Sequence, residues 1–162
     1  MESNIYAIIV AAIVPIVIGF VWYNPKVFGN SWMKASGLTE EQLKGGNLLV
    51  IFGVTLVLSF LLAFFAQTLV IHQIGAFGMI GGKPEDLEAT SSYFAFMEEY
   101  KDAFRTYKHG AFHGILAGVF LFFPVIATNA LFERKSWKYI FINSGYWIVS
   151  LAAIGAIVCG WV

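Results

Sequence analysis

"IYAIIVAAIVPIVIGFVWY", residues 5–23, contains no Asp, Glu, Lys or Arg. As a helix it would rise about 28 Å, close to the ~30 Å hydrocarbon thickness of a bilayer. The same absence of charge recurs over residues 48–71, 110–132 and 139–162. Backbone groups in lipid must bond within their own segment, so such runs read as transmembrane helices. The fold class is therefore an all-α integral membrane protein with four transmembrane helices, organised as a single membrane domain over residues 1–162. The first run is expected to be a span rather than a signal peptide. Glu2 and no basic residue precede it, and it is longer than a signal peptide's apolar region.

Composition agrees. Hydrophobic residues make up 59% of the 162-residue chain and charged ones 12%, about half the ~25% of soluble domains. Ten basic residues balance ten acidic ones, so no net charge points to nucleic acid. The single cysteine, Cys159, excludes an internal disulfide and any CxxC pair, and reads as a small packing residue.

Four spans place loops one and three on one side, and both termini with loop two on the other. Lys26, Lys34, Lys44, Arg134, Lys135 and Lys138 belong to the first side; Lys83, Lys101, Arg105 and Lys108 to the second. The excess favours loops one and three in the cytoplasm, with the termini and loop two outside. In loop one, Phe28, Trp32 and Met33 among lysines suit the headgroup region, and "TEEQ", residues 39–42, has capping-box spacing. Loop two opens with a glycine-rich stretch expected to be mobile. Tyr93, Met97, Tyr100, Phe104 and Tyr107 then mark an amphipathic helix over residues 92–108, lying on the membrane or against a partner. Read straight into span three it would overshoot the bilayer, so either a bend near His109–Gly110 or a projecting stalk is expected.

Small residues define where helices meet. Gly110, Gly114 and Gly118 form a ladder in span three, and Ala152, Ala156 and Gly160 form another in span four at matching depth. The two ladders are candidates for each other's partner, or for a seam between copies of the chain. Ala7 and Ala11 lie in the same leaflet, where the helices should converge. In the opposite leaflet Trp22, Tyr23, Asn24, Asn143, Tyr146 and Trp147 gather as an aromatic belt or as the lining of a small cavity.

All three histidines belong to one side: His72 closes span two, while His109 and His113 open span three one helical turn apart. Imidazoles at that spacing share a helix face and can share a metal, with Glu98, Glu99 or Asp102 able to add an oxygen. Zinc, iron, copper and nickel all accept such a set, so no particular cofactor is implied. The alternative is interfacial histidines with a packing role. There is no HExxH, GxSxG, P-loop or GxGxxG motif, and no carboxylate inside a span, which disfavours a carboxylate-driven antiporter.

Two stretches carry a family resemblance. "GFVWYNPKVFGNSWMKASGL" from Gly19 and "NALFERKSWKYIFINSGYWIVSLAAIGAIV" from Asn129 resemble an uncharacterised bacterial four-span membrane family, domain of unknown function 1761. The matching positions are Trp22, Tyr23, Pro25, Phe28, Gly29 and Trp32, then Phe132, Glu133, Trp137, Asn143, Gly145 and Tyr146. The likeness covers nearly the whole chain, loop two being its most individual part, and implies a four-helix membrane protein without naming a substrate. Three functions fit. The first is a non-enzymatic bundle in a bacterial cytoplasmic membrane, acting as an oligomer or accessory subunit, with the lipid bilayer and itself or other membrane proteins as partners. The second is a small-solute carrier or channel through the Trp22/Tyr23/Asn143/Tyr146 region. The third is a metal or redox protein using His72, His109 and His113.

Overall fold

The computed structural model describes residues 4–162, all helix and turn with no strand among the described residues; Glu2 lies outside them. Helix α1 (Ile5–Trp22) crosses first. A π-helical turn, Pro25–Gly29, leads into α2 (Asn30–Ser36) and α3 (Glu40–Lys44) of loop one. Helix α4 (Leu48–Val70) crosses back and, after a break at Ile71, the chain continues as α5 (His72–Met79) and α6 (Ser92–Tyr100) in loop two. Helix α7 (Tyr107–Ala117), a second π-helical turn (Gly118–Phe122) and α8 (Phe123–Phe132) make one crossing rod, and α9 (Trp137–Gly160) is the last.

Each crossing segment starts on a side-chain cap. Asn4, Asn47, Thr106 and Ser136 accept the N–H of Ala7, Val50, His109 and Tyr139. These caps satisfy backbone donors where the chain enters lipid. They move the third span's start to Tyr107 and the fourth's to Trp137. Loop one holds the expected capping box between Thr39 and Gln42.

Helix α9 is the centre of the bundle. Gly110, Gly114 and Gly118 lie against it so closely that a Cβ at Gly110 would strike the Gly155 backbone and sit 2.5 Å from Cys159 Cβ. At Gly114 it would meet the Leu151 backbone and lie 2.8 Å from Ala152 Cα, and at Gly118 2.7 Å from Ile148 Cα. The ladder is thus packed within the chain. Its opposing face is Ile148, Leu151, Ala152, Gly155 and Cys159, with Gly160 against Tyr107 at the start of α7. Ala152 and Gly160 of the expected row thus meet α7, Ala156 is half-buried, and Gly155 joins the contact from outside that row. At Gly110 the facing residue is itself a glycine, Gly155, so there the two backbones meet from both sides.

The helices converge in the loop-two half. Ile8, Ala11, Ala63, Ala66, Val70, Ile71, Ile154, Val158 and Cys159 form one buried cluster there. All buried residues of α4, from Ser59 to Val70, belong to its second half, so its first half stands off the bundle. Cross-links at the ends fix the topology. Lys135 Nζ donates to Ser36 O (2.9 Å), joining loops three and one, while Asn4 Nδ2 donates to Trp161 O (3.3 Å) at the other end.

Prolines explain the irregular turns. Pro124 cannot donate to Phe120 O, and Phe123 N–H reaches five residues back to Gly118 O instead. In the elbow after α1, Gly29 N–H likewise reaches Asn24 O (2.9 Å), and a Cβ at Gly29 would collide with the Tyr23 carbonyl.

Loop two departs from expectation twice. Its glycine-rich start includes helix α5. The amphipathic helix stops at Tyr100 rather than residue 108, because residues 101–106 form a turn in which Phe104 takes φ +62°. The bend therefore precedes His109–Gly110.

Gly114→Val should lower detergent-solubilised stability by about 2 kcal/mol or more through overpacking. Gly53→Ala, at a glycine with nothing within 4 Å of an added Cβ, should be near neutral. Thermal unfolding followed by light scattering checks the pair.

Candidate metal centre

The break at Ile71 and the packing of α7 on α9 together build the site. Ile71 is extended (φ −109°, ψ 103°) and buried, which turns His72 out of α4 toward α7. Each histidine of α7 precedes a ladder glycine, about 100° around the helix from the α9 contact. His72 Nε2 lies 2.9 Å from His109 Nε2, a hydrogen bond in which one ring donates and the other accepts. The ring centroids are 5.0 Å (His72–His109), 5.1 Å (His72–His113) and 4.5 Å (His109–His113) apart. One nitrogen from each ring lies within 4.8 Å of the others. His72 is exposed, and His109 and His113 are half-buried, so the cluster is reachable from the loop-two side.

The turn at residues 101–106 straps this cluster. Phe104 places its ring 5.0 Å from His109 and 5.8 Å from His72. Its left-handed backbone is unfavourable for a bulky residue, and the surrounding bonds hold it. Gln73 Nε2 donates to Tyr100 O (2.7 Å) and Ala103 O (2.9 Å) from a buried position. Arg105 Nε donates to Cys159 O (2.9 Å), placing a cation at the negative end of α9. Cys159 Sγ lies within 3.5 Å of Phe104 O and 3.4 Å of Val70 O, so the lone thiol ties the strap to α4 as well as packing. Gln73 Oε1 is buried without a donor.

Glu98, Glu99 and Asp102 are not part of the histidine group. The strap residues were hidden in the sequence. Gln73 beside His72 is the one visible signal, as an amide next to an apolar run; the conformation of Phe104 has none.

The six residues of the other leaflet do not line one cavity. Tyr23, Asn24 and Tyr146 border a cleft between α1 and α4. Trp22 faces a depression with Phe28 and Phe141, and Asn143 and Trp147 face a third with Asn129 and Glu133. Their polar atoms are mostly bonded to protein. Trp22 Nε1 donates to Ile142 O (3.0 Å), Tyr23 OH to Asn143 Oδ1 (3.0 Å), Asn143 Nδ2 to Tyr139 O (2.8 Å) and Tyr146 OH to Pro15 O (2.8 Å). Asn24 instead accepts from Lys26 N–H, and Trp147 packs on Phe122.

A family model described as "Protein of unknown function (DUF1761)" matches residues 6–159. No curated protein and no solved structure matches the chain.

Phe104→Gly should be more stable than Phe104→Ala by about 1 kcal/mol, since both lose the ring but only alanine keeps the Cβ penalty at positive φ. Denaturant unfolding of the two variants in micelles measures the difference; equal stabilities would show that the strap relaxes at no cost.

Proposed function

The chain belongs to the DUF1761 family of unknown function, and from that premise we propose a function read from the site itself: this multi-pass membrane protein holds a transition-metal ion on His72, His109 and His113. The convergence of three imidazoles from two separate segments carries the proposal. Two nitrogens on a tetrahedral zinc lie about 3.4 Å apart, from Zn–N distances near 2.1 Å. The 2.9 Å His72–His109 contact and the 4.8 Å span of the group bracket that separation. Ring rotations bring all three nitrogens onto one ion, which replaces the proton between His72 and His109. Three neutral nitrogen ligands suit zinc, copper, nickel or cobalt, and leave a fourth position for water or an incoming ligand.

The distribution of basic residues supports a cytoplasmic position for loops one and three, which puts the histidines on the opposite face of the membrane. In a bacterial cytoplasmic membrane that face meets metal arriving from outside the cell.

The two rival readings draw less from the geometry. The glycine ladder is buried against α9 and supplies no seam to a second copy. An accessory-subunit role still draws on α6, which leaves Phe94, Phe96 and Tyr100 exposed. A solute route through Trp22, Tyr23, Asn143 and Tyr146 would have to break the hydrogen bonds that now occupy those groups.

Purified protein titrated with Co(II) should take up one equivalent and develop the visible absorption of a tetrahedral nitrogen site. Each of His72→Ala, His109→Ala and His113→Ala should weaken binding by about tenfold or more. Substoichiometric uptake that His113→Ala leaves unchanged would end the metal reading.

A further inference from the structure

Far from the histidines, where α4 stands off α1, the gap between the two helices is a cleft of about 560 Å³ with a largely apolar floor of Ile16, Phe20, Ile51, Phe52 and Thr55. It runs into a second depression whose mouth carries Asn30, Glu40 and Lys44, and both are bordered by Tyr23, Pro25, Trp32 and Phe52. The polarity changes along the cleft as it does along a lipid, from hydrocarbon inside the spans to polar groups at the elbow. Phe20 of α1 and Phe52 of α4 stack across the gap at 5.4 Å and form part of its floor, and Ile51 and Phe52 are exposed, so the cleft opens sideways to the bilayer.

Two observations say what the occupant's head must offer. Trp32 Nε1 is buried and meets no acceptor. An indole nitrogen only donates, and a buried donor left unmet is costly, so its complement carries an acceptor oxygen. Lys44 lines the mouth beside Glu40, and loop one as a whole, with Lys26 and Lys34 as well against Glu40 and Glu41, carries one positive charge in excess at the headgroup level. The Lys44–Glu40 contact, at 3.8 Å between exposed groups, is too weak to occupy Lys44 fully.

We propose that this cleft binds one anionic phospholipid. An acyl chain lies between α1 and α4, and oxygens of the head accept from Trp32 Nε1 and face Lys44 and Asn30. The site is independent of the histidine cluster, and its failure would leave the metal reading untouched.

Native mass spectrometry of the full chain, with phosphatidylglycerol or phosphatidylcholine of identical acyl chains, tests it. The expected result is one phosphatidylglycerol retained through delipidation, with phosphatidylcholine, whose head has no net charge, retained about fivefold less. Trp32→Phe, which keeps an aromatic ring and removes the donor, should lower that retention by about fivefold. Thr55→Trp, which fills the floor, should abolish it. Glycerol 3-phosphate, a head without tails, should not compete. Equal retention of the two lipids would overturn the proposal. So would unchanged retention in Trp32→Phe of wild-type elution profile, or displacement by glycerol 3-phosphate.

Discussion

The contact between the backbones of α7 and α9 is the constraint on which the rest of the molecule depends. Lipid tails are as apolar as leucine, so membrane helices gain little by hiding hydrophobic surface from one another and adhere through close packing. Here Gly110 and Gly155 meet backbone to backbone, and Gly114 and Gly118 extend the contact toward Leu151 and Ile148. Once α7 is pressed onto α9 by this face, its rotation is settled. His109 and His113 must look away from α9, toward the end of α4, where His72 emerges. Packing and candidate chemistry thus share a helix without sharing a face.

Loop two is fastened to that arrangement by polar groups rather than by hydrophobic burial. Gln73 holds the carbonyls of Tyr100, at the end of α6, and Ala103, in the turn, and Arg105 holds the last turn of α9. The bonds that satisfy these groups also bring Phe104 over the histidines. The strap and the imidazole cluster are therefore coupled, because moving Phe104 away requires releasing Gln73 or Arg105.

Much of this was legible in the sequence, and the remainder was hidden for definable reasons. The spans were visible because charge is excluded from hydrocarbon, and the ladder because small residues recur every fourth position. The register of α9 was legible only in part: Ala152 and Gly160 do meet α7, but Gly155 stands outside the Ala152–Ala156–Gly160 row, and periodicity alone cannot say that a neighbouring small residue shares the contact. The break at Ile71 carries neither proline nor glycine, and it depends on burial against residues distant in the chain, such as Ile154 and Cys159. The end of α6 at Tyr100 was equally silent, since the aromatic spacing continues through Phe104 and Tyr107 while Gln73, from another segment, captures the backbone. The nearness of the three histidines was inferred as a possibility of depth; the distance between them depends on those two unsignalled turns.

The π-helical turn at Gly118–Phe122 acts as a phase correction. A regular helix carrying the face of Gly118 onward would bring round residues near 122, 125 and 129, yet Val125 and Asn129 are exposed. One additional residue in the turn delays the pattern, and the inward positions become Phe123, Ala127 and Ala130, the last two of them buried. The two halves of this rod are written in different frames, and the turn is where they are joined. A gain or loss of one residue there would rotate α8 by about 100° relative to α7 while changing the rod's length hardly at all. Beyond Gly118, where contact with Ile148 already excludes a side chain, the segment is in consequence far less tolerant of insertion than of substitution, a form of constraint that hydropathy does not record.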